Sequence, residues 1–381
     1  MEQQHEAPKA LGLRYVLRSL VYRFGADRVT DLAAATTYYL VLSVFPLLLA
    51  VVCVLSLLGG AAWVVPHMED LVGAFLTPDA AQAFGDIAAR FLASEGAGVT
   101  LGISTIAALW SASGYIGAFT RAVNAVYRVA EGRNFFKLKG IQVLMTLSLV
   151  LLIILLVVAL AVSSPAAFWL GDQVGLGEQF ATFWAWLRYP LLGVAVVILV
   201  RMLFFSAPNV KQPHIRVLSA GSLVAIVLAV GAIEVFRVYL SVFNGASNYA
   251  KTYGALAGVI IVLLLLFFVN IALLIGAELD AALERLHQLR LGLPAESGLL
   301  LPPRDETGIK SRAATRARLV ETAHVIRMNA LAGGATAPAW YEAAQLDIAR
   351  DESLETDSPP RLAKPGRRIG RRRRRGQGAA Q

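Results

Sequence analysis

Six apolar stretches, each separated from the next by a polar connection, occupy the first three quarters of the chain, at about residues 32–62, 99–119, 141–163, 187–207, 217–240 and 255–277. Each is near or above the ~20 residues an α-helix needs to cross ~30 Å of hydrocarbon. No stretch alternates with the period of two that a barrel strand requires, and no repeat is strong enough to indicate an inverted duplication. The pattern predicts an all-α, polytopic membrane bundle of six transmembrane helices. The second stretch is the most polar, with Thr100, Ser104, Thr105, Ser111, Ser113 and Gly114. A half-polar helix cannot face lipid all round, so it is expected inside the bundle, packed through small residues such as Ser113 and Gly117.

Polar segments flank the bundle. In residues 1–31, Leu13, Val16, Leu17, Leu20, Val21 and Phe24 recur at helical spacing, with Arg14 and Arg18 on another face. That pattern predicts an amphipathic helix lying in the interface. A signal peptide is the rival, but the following apolar run is too long for one and no small-residue cleavage site ends it. Between the first two stretches, Ala80, Phe84, Ile87, Ala88 and Phe91 predict a short surface helix over 79–92. The domain plan is thus 1–31 (N-terminal segment), 32–284 (six-helix domain) and 285–381 (basic tail). The tail is expected to be largely disordered, with modest helical stretches at 311–331 and 338–350.

Charge orients the bundle. Lys9, Arg14, Arg18, Arg23, Arg28, Arg121, Arg128, Arg133, Lys137, Lys139, Lys211 and Arg216 fall before the first span or in the second-to-third and fourth-to-fifth connections. The opposite connections hold only Arg90, Arg188 and Lys251, beside seven acids. The positive-inside rule then places both termini in the cytoplasm. Trp169, Trp184, Trp186 and Tyr189 read as an aromatic belt at the far interface. Of the net charge of +9, +7 lies from Ala282 onward, ending in the run of arginines at 371–375. On a tethered tail this favours contact with anionic headgroups over nucleic acid. Only 16% of the residues are charged and 57% are apolar, with a mean hydropathy of +0.61. The single cysteine, Cys53, allows neither an internal disulfide nor a cysteine-based metal site.

Several motifs stand out in order: Ala33–Leu40 and Leu42–Leu48 in the first span, Leu109–Gly114 followed by Asn124 and Tyr127, Pro208–Lys211, Tyr249, Thr252–Gly258, and Gly276–Asp280. Together they resemble the YihY/virulence factor BrkB family of bacterial envelope proteins over about residues 15–285. The resemblance implies a six-span inner-membrane protein with a role in envelope integrity, serum resistance or lipid export. It carries over no catalytic residues, and the label ribonuclease BN once attached to the family is regarded as mistaken. The family often shows a Tyr-Arg pair about three residues before the proline at 208. Phe204-Phe205-Ser206-Ala207 stands here instead, with Arg201 the nearest upstream arginine.

Candidate chemistry follows from intramembrane polar residues. Pro46 removes a helical N–H beside Tyr38, Tyr39 and Ser43, which suits either a broken helix at a substrate cavity or a packed kink. Arg201 is deep in the fourth span; it either binds an anion such as a lipid phosphate or snorkels to the interface. Tyr38, Tyr39, Ser43, Pro46 and Arg201 form the candidate substrate path. Glu234 and Arg237 can pair across one helical turn, as a surface ion pair or an outer gate. Glu278 and Asp280 close the sixth span, where carboxylates oppose the helix dipole and call for cations such as Arg285, Arg121 or Arg128. A structural clamp or a proton-coupling carboxylate fits them. Gly254 and Gly258 read as packing positions. The histidines His5, His67, His214, His287 and His324 show no ligand spacing, and no phosphate-cradling GxxxxGK loop is encoded, so no metal, cofactor or catalytic step is expected. The two functions left are a transporter or flippase of an amphipathic substrate and a non-transporting envelope scaffold.

Overall fold

The computed structural model describes residues 9–59, 97–161, 177–212, 219–242 and 257–336, with a few isolated positions between them. Among the described residues eight helices follow in order: α1 Lys9–Ala26, α2 Val29–Gly59, α3 Ala97–Val126, α4 Phe135–Ala161, α5 Gly177–Ser206, α6 Ala220–Val242, α7 Ala257–Arg290 and α8 Thr307–Ala332. Each of the six apolar stretches carries one of these helices. Among the described residues, five helices (α2, α4, α5, α6 and α7) are long and apolar enough to cross a membrane. The chain is a polytopic α-helical membrane protein.

The half-polar helix lies where its composition sends it. α3 packs chiefly against α2 and also against α4, α5 and α7. Its Ser113, Ile116, Phe119 and Thr120 are buried, and a side chain at Gly117 would press on the Gln142 amide of α4. The first half of α3 keeps an outward face with Ile103 and Ile106, and around it Leu144, Leu151, Val194, Ile198, Val227, Val230 and Val259 point outward. Apolar side chains on that scale suit an acyl-chain solvent and would be an aggregation hazard in water.

The core has two parts. One joins Ala50, Val51 and Val52 of α2 to Ala108 and Leu109 of α3 and Val150 and Ile154 of α4. The larger surrounds Phe119, which stacks on Phe204 of α5 with centroids 6.3 Å apart, and includes Leu274, Ala277 and Ala281 of α7. The tightest crossing is α6 on α7. A Cβ built on Gly221 would overlap the carbonyl oxygen of Gly276, and one on Gly276 would lie 2.6 Å from Ala225 Cβ. Small residues here let two backbones touch. These are not the glycines the sequence suggested: Gly254 lies outside the described residues, and Gly258 is half-buried.

Two expected boundaries move. α7 does not stop near residue 277 but runs on to Arg290, because Leu283, Leu286 and Leu289 continue the helical pattern beyond the membrane-length segment. α5 begins at Gly177, so Trp184, Trp186 and Tyr189 lie on its first turns, with Trp186 and Tyr189 facing outward. The helix predicted over 79–92 lies largely outside the described residues, as do Trp169 and residues 339–381.

α1, the connections after α3 and α5, the end of α7 and the start of the tail meet at one end of the bundle, called here the basic end. α1 presents Gly12 and Val16 to α7, where a Cβ on Gly12 would lie 2.6 Å from Arg290 Nη2. Leu13, Leu17 and Val21 form its exposed apolar stripe. Arg23 departs from the other basic residues of α1 and turns inward, only 3% exposed. The tail is not separate from its first residue. Pro303 forms a bridge with Val210, and only from Lys310 onward is every described side chain exposed.

Candidate functional site: a collar and a cavity at the basic end

Two of the residues singled out in the sequence motifs, Asn124 and Asn209, bond directly. The Asn209 N–H donates to Asn124 Oδ1 at 2.8 Å, and Asn124 Nδ2 donates to Glu131 Oε2 at 2.9 Å. Arg133 grips the same carboxylate with both arms of its fork, Nε to Oε1 at 2.8 Å and Nη2 to Oε2 at 2.7 Å. Its Nη2 also reaches the Ala207 carbonyl at 2.8 Å. Arg304 Nη2 donates to the Phe205 carbonyl at 2.9 Å. The orphan carbonyls that end α5 are thus met by guanidinium groups from two other segments, favourable for a helix C-terminus. Asn209 closes the ring, donating to the carbonyls of Ala130 and Asp305 and accepting from the Asp305 N–H. Lys137 pairs with Asp305 at 2.6 Å.

The collar sets the charge of its acids. Burial pushes the Glu131 carboxyl up, but hydrogen bonds from the Arg133 side chain and backbone, the Arg133 charge and the Asn124 amide outweigh it and hold the group below the ordinary carboxylate range. Asp305 is held lower still, first by the Lys137 hydrogen bond. A depressed folded-state value contributes stability that is present above the unfolded value, 4.5 for Glu131, and is lost as pH falls through the folded one. Thermal unfolding in detergent should therefore be insensitive to this group at neutral pH and weaken in acid, and Glu131→Gln should show a shallower acid loss.

Beside the collar is a cavity of about 320 Å3, lined by Tyr127, Arg201, Gln212, Ser219, Asp280, Glu284, His287 and Arg290. α7 supplies Asp280, Glu284 and His287 at i, i+4 and i+7, and Arg290 one turn on, so one face of its extension forms a wall. α5 supplies Arg201. Gln212 is fixed by donating to the Phe204 carbonyl at 2.9 Å. Ser219 caps α6: its Oγ accepts from the Ser222 N–H and donates to Asp280 at 2.5 Å, while Asp280 also accepts from the Gly221 N–H at 2.7 Å. Asp280 therefore does not oppose a dipole as a residue ending the sixth span would. It sits within α7 and faces the positive end of α6, the favourable sign.

Arg201 is the reactive feature of this wall. Its guanidinium carbon lies 5.0 Å from the centroid of the Phe205 ring, on which Arg304 also stacks at 5.0 Å. Its Nη2 is buried and finds no acceptor among the described residues. The same side chain lines the cavity, so a small rotation of the guanidinium would turn an N–H without an acceptor toward an anionic oxygen there.

The other sequence candidates do not converge on Arg201. Tyr38 is exposed, and Tyr39 receives the Arg121 guanidinium over its ring at 5.0 Å. Ser43 is buried and accepts from the Tyr115 N–H at 3.2 Å. Pro46 lies within α2, whose helical conformation continues on both sides, so the first span is not broken there. Glu234 and Arg237 form an exposed pair at 2.7 Å across one turn of α6. Glu278 is fully buried near Arg23, Asp27 and Arg128. Arg285, offered as its counter-ion, instead donates to the carbonyls of Ala295 and Glu296. Sequence reasoning missed Asn270, whose Nδ2 donates to Thr37 Oγ1 at 3.1 Å while Tyr115 OH reaches its Oδ1 at 3.4 Å. An asparagine inside the last apolar stretch was the available signal.

Comparison with known proteins agrees with this architecture. The family model described as virulence factor BrkB matches residues 20–297. A ribonuclease-like protein of Bacillus subtilis, YfkH, is 26% identical over 275 residues, covering 72% of this chain and 96% of its own. A UPF0761 membrane protein of Vibrio vulnificus is 25% identical over 306 residues, 78% of this chain and 90% of its own. One from Mannheimia succiniciproducens is 25% identical over 275 residues, 71% and 90%. No solved structure matches.

Proposed function

This chain belongs to the virulence factor BrkB family, and from that premise we propose that it moves an amphipathic, lipid-like molecule of the bacterial envelope across the inner membrane. The observation that carries this reading is Arg201, which lines the basic-end cavity and whose buried Nη2 has no acceptor among the described residues. A lipid headgroup offers an anionic oxygen of the right chemistry, and the outward apolar surfaces of the neighbouring helices suit its chains.

We read the basic end as cytoplasmic, because it gathers the lysine- and arginine-rich connections. Contact of α1 with the end of α7 supports a start and finish of the bundle on one side. On that reading the crossings are even in number, with α3 as the sixth membrane helix beside the five more apolar ones. The exposed stripe of α1 and the basic α8, exposed from Lys310 onward, favour contact with anionic headgroups at that face. The same two surfaces would serve a non-transporting scaffold, for which deleting α8 would abolish function while intramembrane substitutions stayed silent. A catalytic role has less support. The ribonuclease-like name belongs to the Bacillus subtilis relative, and here His287 lies in the cavity while His324 stands on exposed α8.

Reconstitution into liposomes carrying fluorescent phospholipid tests the proposal. Wild type should translocate the probe faster than protein-free vesicles. Arg201→Ala, which removes a charge-assisted hydrogen bond worth ~1.5–3 kcal/mol, should slow it about tenfold or more. Equal rates with and without protein would overturn the proposal.

A further inference from the structure

Glu278 is a buried carboxyl in the bundle with charged neighbours and, among the described residues, no donor. It is 0% exposed, and neither carboxyl oxygen meets a hydrogen-bond donor among the described residues. Its neighbour across the α1–α7 contact is Asp27, in the turn between α1 and α2, with the two carboxyl groups within hydrogen-bonding reach of each other. Asp27 Oδ2 is likewise buried and finds no donor among the described residues. Its Oδ1 accepts from Arg128 Nη2 at 3.2 Å. Two ionised carboxylates cannot hydrogen-bond each other, because both are acceptors only. At this separation they also repel, and burial without a donor is costly for each. A single proton between them turns the repulsion into a hydrogen bond and satisfies one oxygen on each side.

We propose that Asp27 and Glu278 form a proton-binding site, a carboxyl pair that holds one shared proton between the α1–α2 turn and α7. Two cations face it from the surrounding elements, yet no donor reaches either oxygen of Glu278 among the described residues. Arg23 comes from α1 and Arg128 from the turn after α3, and Tyr127 lies nearby. The first-turn acid of α2, Asp31, is exposed, and the only charged residues of α6, Glu234 and Arg237, lie in its second half, away from this end. Arg128 itself has positive φ (53°), so its guanidinium is delivered by a tight turn rather than by the body of α3. Loss of the proton would leave two like charges facing each other where α1 docks, and would favour withdrawal of the α1–α2 turn from α7. For its functional meaning this rests on the transport reading, in which the proton is the coupling ion. Its physical content does not.

Infrared spectroscopy of the full-length protein in lipid nanodiscs separates the two. At neutral pH, where isolated aspartate and glutamate are ionised, wild type should keep a carboxylic-acid carbonyl stretch that Glu278→Gln removes. Asp27→Asn leaves Glu278 in place but offers it an N–H donor, so the band should disappear there too. Stability supplies the second readout. A shared proton contributes stability that fades as pH rises, so wild type should lose thermal stability toward alkaline pH, and Glu278→Gln should lose that slope. A wild-type spectrum without an acid band that either variant removes would overturn the proposal, as would an alkaline slope unchanged in Glu278→Gln. Neither readout involves transport, so the proton site can stand or fall independently of the liposome result.

Discussion

Gly221→Val should prevent α6 from docking on α7, and should be among the most damaging single changes available in the membrane domain. The Cβ of any larger residue at 221 falls on the backbone carbonyl oxygen of Gly276, with the Asp280 carboxylate 2.5 Å away on the other side. A side-chain obstacle could rotate aside, but a backbone carbonyl inside a helix cannot, so the two helices must separate. Separation would cost more than the local clash. Asp280 would lose the Gly221 N–H and the Ser219 hydroxyl that satisfy it, and Ala225 would leave its place against Gly276. Overpacking a well-fitted core costs ~1–3 kcal/mol when neighbours can yield. Here they cannot, so the expected loss exceeds that range. Gly231→Val on the same helix is the matched control, because a Cβ there meets nothing within 4 Å. Thermal unfolding of the two variants in detergent should show a large loss for the first and little change for the second. Similar unfolding temperatures would show that the crossing tolerates expansion.

How much of this was legible beforehand differs by level. Hydrophobic blocks of membrane length fix the helices, because a backbone in hydrocarbon has few alternatives. Small and polar residues such as Ser113 and Gly117 were enough to place the second half of α3 inside, although Ser111 faces outward. The end of α7 was misplaced, since a hydrophobic-length argument measures the bilayer and not the helix. Leu283, Leu286 and Leu289 carry the helix past the membrane-length block, and with it Asp280, Glu284, His287 and Arg290 into one wall. Arg201 was found because arginine in a spanning segment is costly wherever it lies. Its separation from Tyr38 and Ser43 depends on how α2 and α5 pack, which spacing within each helix does not encode. The same holds for Asn124, Glu131, Arg133, Asn209 and Asp305. Asn124 and Asn209 stood out as motif residues without a role, Glu131, Arg133 and Asp305 looked like ordinary connection residues, and only long-range pairing makes them a ring.

That ring supplies the other large effect. Arg133→Ala should destabilise the basic end by up to about 3 kcal/mol, the lower limit for breaking a fully buried ion pair, because the Glu131 left behind is 20% exposed. The Arg133 side chain is only 1% exposed, and it serves two clients at once. Removing it strips both forked hydrogen bonds from Glu131, and it leaves the Ala207 carbonyl at the end of α5 without its 2.8 Å donor. Arg133→Lys should recover only part of the loss. An ammonium can neutralise Glu131, but it lacks the planar fork that meets two carboxylate oxygens and a carbonyl together. Glu131→Gln should cost less than Arg133→Ala, because the amide retains one acceptor for Arg133 and the guanidinium keeps its carbonyl partner. The order Arg133→Ala, Arg133→Lys, Glu131→Gln, wild type in rising thermal stability follows from geometry alone. A collar that were merely a surface ion pair would instead show three variants within about 1 kcal/mol of wild type. The position of Asn209 between the Ala130 and Asp305 carbonyls adds a consequence. Loosening Arg133 should also free the start of the tail, so amide exchange at residues 303–308 should quicken in Arg133→Ala while exchange in the α2–α3 core around Val51 and Leu109 stays slow.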